Sequence, residues 1–325
     1  RAQAKRLPRD KDNASILSGN AHTLELLRGS DRQCIELMRM SWEAYVCLCM
    51  HFRHKLLHDS RHVSVEVKMI MFLTIIGHNE RYVVIKRKFQ HSSQTIHKYF
   101  HEVLVAMMTF AREMIVPSTF DPNPYSPRAH KSLRRIFNVF HYPIPYIFYI
   151  IKVRIRNMGK GKCYQNVLGI CDFNMIFTFV YAGWEWLAHD PRVYKLLLTF
   201  IYFMVITTRK YSLCDAAYTN TRGFMAPYRN VRRAMTKEEK FNHTHAKLRN
   251  VIERAYGVLN ARFPIFDKMA PYPFNVQRNI VIVCFAVNNF IRKVKINDEL
   301  FAQYEEPQMV AKQVGQEEEV DYAIT

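Results

Sequence analysis

The sequence predicts an α/β (α+β) fold in two parts, a helical N-terminal region followed by a domain of strands with helices packed over them. Three observations carry this reading. Apolar residues recur at helical spacing from Asp31 to about Pro117. Short runs rich in Ile, Val, Phe and Tyr then follow between Ile144 and Asp215. Two long amphipathic segments, Lys237–Arg262 and Val276–Ile291, come after the strands.

Taken in order, residues 1–30 are polar and weakly patterned and read as a flexible lead. Arg1-Ala-Gln-Ala-Lys-Arg6 lacks the apolar core of a secretory signal. Over 31–117, Val65, Met69, Ile70, Leu73 and Ile76 share one helical face, and Ile96, Phe100, Val103, Leu104 and Met107 repeat the pattern. Between them Arg81–Phe89 reads as a short basic helix, and His91-Ser92-Ser93 supplies a break and an N-cap. Three helices with a tight polar turn before the last describe a helix-turn-helix, with Ser93, Gln94, His97 and Lys98 pointing outward. On pattern alone, the favoured reading is an ordinary helical bundle with a solvated basic face.

Pro117–Pro127 holds four prolines and reads as a linker. Strands are expected at Ile144–Ile155, Gln165–Cys171, Met175–Gly183 and Lys210–Asp215, with a helix after His189-Asp190. Residues 118–300 form the second domain on this reading, and 301–325 an acidic disordered tail containing Glu305-Glu306 and Glu317–Glu319.

Composition narrows the function. At 325 residues, with 49% hydrophobic and 13% aromatic content, the chain can bury a substantial core. A formal net charge of +19 favours a polyanionic partner, nucleic acid first. The apolar run Leu196–Ile206 is far shorter than the roughly 20 residues of a membrane-spanning helix. The seven cysteines, Cys34, Cys47, Cys49, Cys163, Cys171, Cys214 and Cys284, form no CxxC pair, which speaks for reduced thiols and against structural zinc.

Two carboxylates stand out. Asp215 ends a short apolar strand, and Glu253 is expected on the inner face of a helix whose Val251, Ile252, Ala255, Val258 and Leu259 are apolar. Phosphodiester cleavage by two metals needs acidic oxygens converging on ions roughly 3.5–4 Å apart, and hard cations prefer carboxylates. The bland readings are a turn or cap for Asp215 and a solvated helix residue for Glu253.

Several short segments, in order, resemble the PIF/Harbinger transposases and the plant-type nuclease-like proteins derived from them, which carry a DDE superfamily endonuclease domain. They include Asp59–Glu66, Ile76–Asn79, Phe89–Ser92, Tyr164–Leu168, Cys171–Phe173, Ala182–Glu185, Ala188–Asp190, Asp215–Tyr218, Leu248–Phe263 and Ala270–Phe274. The resemblance implies an RNase H-like DDE nuclease domain behind the helix-turn-helix. It places Asp215 and Glu253 as catalytic, metal-binding carboxylates for Mg²⁺ or Mn²⁺, with Asp172 and Asp190 as turn-forming, capping or supporting residues. It further implies DNA as partner, contacted by Lys86, Arg87, Lys88, Lys98, Lys160 and Lys162, a Myb/SANT-like protein partner, and a nuclear location.

The sequence departs from the family at one point. The first catalytic Asp of the family sits upstream of a basic stretch that Arg154–Lys160 resembles, yet no Asp or Glu occurs between Asp121 and Asp172, and His141 is the nearby alternative ligand. The expectation is therefore a divalent-metal-dependent DNA endonuclease or strand transferase impaired by that absence. The alternative is a catalytically inactive, domesticated nuclear protein that binds DNA and other proteins. An exon-boundary error over 122–171 would account for the same absence.

Overall fold

The computed structural model describes residues 18–116, 146–156, 162–185, 212–214, 216, 224–229, 231, 236–267, 269–294 and 298–305. The N-terminal region is helical: α1 (Gly19–Arg28), α2 (Asp31–Met38), α3 (Trp42–Lys55), α4 (Val65–His78), α5 (Tyr82–Phe89) and α6 (Ser93–Met114). Local chemistry sets their starts. Ser18, Ser30, Ser41, Ser64 and Ser92 each accept a backbone N–H of the first turn through the side chain. Their ends are set as locally, since Arg39, Asn79 and Gln90 leave α2, α4 and α5 with φ of 62°, 55° and 55°. In α4 every residue except Glu66 and His78 is buried, as befits the central helix of a bundle. Its Lys68 is tolerated there because Nζ donates to His58 O at 2.8 Å and pairs with Glu102 Oε1 at 2.6 Å.

The second part is built on a five-stranded sheet of order β3-β2-β1-β4-β5, formed by β1 (Tyr146–Arg156), β2 (Lys162–Cys171), β3 (Phe177–Glu185), β4 (Ser212–Leu213) and β5 (Phe224–Met225). β1 runs antiparallel to β2, from Ile147 opposite Cys171 to Arg156 opposite Lys162. β2 and β3 are also antiparallel, whereas β4 lies parallel to β1 and β5 parallel to β4. Helices α7 (Lys237–Arg262) and α8 (Phe274–Lys293) follow, with a 3-10 turn at Pro264–Phe266 between them and a short α9 (Glu299–Glu305) after them. α7 packs on β1 and β2, and α8 lies between β3 and α6, so one hydrophobic core runs through both parts.

Several boundaries differ from expectation, among them the start of β2 at Lys162 rather than Gln165. The flexible lead expected over 1–30 does not reach its end, because Gly19–Arg28 is α1. This helix is held by a close approach rather than an apolar stripe: a Cβ at Gly19 would lie 2.5 Å from Phe89 O, and the His22 ring meets the Phe89 ring at 5.3 Å. The disordered tail expected from 301 begins instead as α9. There Phe301 is buried between the guanidinium groups of Arg262 and Arg292, and a Cβ at Gly257 would meet the Tyr304 ring at 2.3 Å. The third strand starts at Phe177 rather than Met175, because Met175 sits in a turn with φ of 62°. β5 was not expected at all; two residues are too few to show a period. The helix expected after Asp190 lies outside the described residues.

Candidate functional site

The strand-end segment is held from both sides. Cys214 is buried, and its N–H donates to Met225 O at 3.1 Å. Ala216 is exposed, and its carbonyl accepts Arg229 Nη2 at 2.8 Å. Asp215 itself lies outside the described residues, as do Asp190, Lys160 and His141. Lys162 opens β2 opposite Arg156.

Glu253 is not on the inner face. Leu248, Val251, Ile252, Ala255, Val258 and Leu259 are buried as the pattern requires. The Glu253 side chain, however, is 41% exposed, and Oε1 pairs with Arg249 Nη2 one turn earlier at 2.6 Å. At about 100° per residue, position 253 falls on the flank of the buried stripe, beside position 249. Arg249 already supplies this carboxylate with a partner, so burial does not compel a metal there. Its exposure leaves it accessible to one.

Asp172 is the turn residue between β2 and β3. It is buried, and Oδ1 accepts the N–H groups of Asn174 at 2.9 Å and Ile176 at 3.0 Å. Burial pushes its carboxyl up to about 6, against the pull of those two bonds and of the Arg292 and Lys293 charges. Arg292 also donates to Asn174 O at 3.0 Å, which ties this turn to the end of α8.

Among the described residues, no three His, Cys, Asp or Glu side chains converge as a metal site. β1 and β2 carry no Asp or Glu in their sequences, so β1 supplies no acid beside β4.

A second surface lies on the helical part. Ser93, Gln94, His97 and Lys98 are exposed at the start of α6, while Ile96, Tyr99 and Phe100 face inward. On α5, Arg87 and Lys88 are exposed and Lys86 is half-buried. The sequence reading missed two neighbours. Arg61 and His62 are exposed on the loop between α3 and α4, which Tyr99 Oη fixes to α6 through Ser60 Oγ at 2.8 Å. Arg53 braces the same loop by bridging Asp59 at 2.7 Å and Glu66 at 2.6 Å. Burial first, and then the charge of His62, lower the basicity of the His91 ring. No local signal joins residue 60 to residue 99; tertiary packing does.

The fold is a five-stranded sheet covered by α7, which carries Glu253, packed against a helical module with a basic surface. Residues 158–289 match the family model described as DDE superfamily endonuclease, and residues 14–109 match one described as a domain of unknown function, DUF8040. The first match supports a transposase-derived nuclease domain. Neither a curated protein nor a solved structure gave a match. No helix among the described residues is long and apolar enough to cross a membrane.

Proposed function

We propose that this chain is a transposase-derived, divalent-metal-dependent DNA endonuclease or strand transferase of PIF/Harbinger type, with catalysis impaired by the missing first Asp. The observation that carries the reading is the sheet. Three antiparallel strands extended by two parallel ones, in the order 3-2-1-4-5, support an RNase H-like domain in which Asp215 comes two positions along the chain after β4 and Glu253 rides on the helix covering β1 and β2. Mg²⁺ or Mn²⁺ held by Asp215 and Glu253 would activate a water, and later a DNA 3′-hydroxyl, against phosphorus. With two carboxylates in place of three, that hold is weak.

The basic α5–α6 surface supports a helix-turn-helix contact to duplex DNA, widened by Arg61 and His62. Arg87, Lys88 and Lys98 are the phosphate contacts of the proposal, and Gln94 and His97 reach toward base edges. A nuclear location and a Myb/SANT-like partner rest on the family resemblance.

The test is nicking of supercoiled plasmid with Mn²⁺ by wild type, Asp215→Ala and Glu253→Ala, beside duplex binding measured across salt. We expect slow nicking lost in both variants. We also expect affinity that falls steeply with salt, with the slope reduced by about 1 in Lys98→Ala. Intact binding without nicking would leave a DNA-binding protein on a retired nuclease fold, and salt-insensitive binding would remove the DNA reading.

A further inference from the structure

We propose that Arg229, Asn242 and His245 are positioning residues that hold the segment bearing Asp215 in fixed relation to the helix bearing Glu253. The inference rests on the proposed function for the role of the two carboxylates; the clamp itself is geometric. Asn242, in the second turn of α7, makes two bonds to one residue: Tyr228 N donates to Asn242 Oδ1 at 2.8 Å, and Asn242 Nδ2 donates to Tyr228 O at 2.9 Å. A side-chain amide paired in this way replaces a neighbouring strand. One turn further along, the buried His245 donates from Nε2 to Met225 O at 2.9 Å. The segment 225–229 is thus laid along α7 by three hydrogen bonds.

The same segment grips both chain neighbours of Asp215. Met225 O accepts the Cys214 N–H, and Arg229 donates to Ala216 O. Met225 O therefore serves Cys214 and His245 together, using both lone pairs of one carbonyl. From His245 the rigid helix carries on to Glu253 over about 12 Å of rise. A continuous chain of short bonds and helix connects Cys214 and Ala216, the chain neighbours of Asp215, to the helix that carries Glu253. Metal sites demand ligand placement within fractions of an ångström, which is what such a clamp on the flanking backbone would serve. Arg229 contributes from the surface, where a backbone carbonyl bond competes with water, so the doubly bonded Asn242 is what sets its reach.

The test combines backbone hydrogen exchange of the peptide spanning 212–218 with Mn²⁺ binding followed by electron paramagnetic resonance. Wild type is compared with Arg229→Ala, Arg229→Lys, Asn242→Ala and Asp215→Ala. We expect exchange of this peptide to speed up about tenfold in Arg229→Ala and Asn242→Ala, with α8 peptides and the melting temperature unchanged. Mn²⁺ affinity should fall about 10-fold or more in both, the usual effect of losing an outer-shell partner. Arg229→Lys, which keeps a donor, should largely rescue both readouts. Unchanged exchange in Arg229→Ala overturns the clamp. Faster exchange with wild-type Mn²⁺ affinity overturns its positioning role. Wild-type Mn²⁺ binding that Asp215→Ala leaves intact overturns the metal reading of Asp215, and the positioning role falls with it; only in that case does the Asp215→Ala control reveal the cause.

Discussion

Single residues show how this chain handles charge away from water. Arg262 is 1% exposed, yet its guanidinium serves three partners: Asn288 Oδ1, Arg39 O and Asp298 Oδ1. That set joins the end of α7, the middle of α8, the exit of α2 and the start of α9, so the charge is buried only because every face is met. Asp172 is the opposite case, a buried carboxyl that burial shifts upward to about 6 from 3.8. Between those values the native carboxyl holds a proton that the unfolded chain has released. The contribution of Asp172 to stability therefore falls as pH rises through that window. Asp172→Asn keeps the Oδ1 acceptor for Asn174 and Ile176 but cannot ionise. Its stability relative to wild type should rise with pH, by up to about 1.4 kcal/mol per pH unit between roughly pH 4 and 6. Urea denaturation at pH 4.5 and 7 checks this, and a difference that does not change with pH would contradict it.

Among elements, caps and periods were the legible part. The expected Lys237–Arg262 helix is α7 to the residue, because Thr236 and Glu239 form a capping pair ahead of the apolar stripe, with Thr236 Oγ1 accepting the Glu239 N–H at 3.2 Å. The break at His91-Ser92 is likewise where α6 begins, with Ser92 Oγ accepting the Thr95 N–H at 3.1 Å. Ser92→Ala should cost about 1 kcal/mol in chemical denaturation. It should also weaken duplex binding, since the frayed turn carries Ser93 and Gln94; unchanged binding would detach those residues from the DNA surface. Short elements without a clear apolar period escaped the sequence reading, even where a cap was present, as Ser18 is for α1. α1 depends on Gly19 nesting against Phe89 O, α9 on Phe301 and Tyr304 finding α7, and β5 on pairing Phe224 with Ser212.

Across the whole molecule, α8 makes the helical part and the sheet one body. Asn289, fully buried, accepts the Phe177 N–H at 2.8 Å and donates to Phe177 O at 2.6 Å and Met114 O at 3.2 Å. It therefore ties the start of β3 to the end of α6, and Lys293 reinforces the junction with a 2.9 Å bond to the same Met114 carbonyl. The described residues should unfold in one calorimetric transition. Asn289→Ala, which strands the buried N–H and carbonyl of Phe177, should cost at least about 2 kcal/mol and separate the transitions of the two parts. A variant that still melts in one step at the wild-type temperature would show that core packing alone joins them.

Residue types, helical phase and strand alternation are written into short stretches of chain. The sequence by itself therefore determined the helical N-terminal part, the strands that follow, the basic outward face at Lys98 and the lack of any acid between Asp121 and Asp172. Tertiary structure alone decided the parallel seating of β4 on β1, the exposure of Glu253 and its pairing with Arg249. It also decided the reach of Arg229 to Ala216 and the placing of Arg61 and His62 beside α6. The physical reason is range. A period of 3.6 tells which stripe of a helix is apolar, but whether a residue on its flank meets water, a cation or another chain segment depends on what long-range packing brings there.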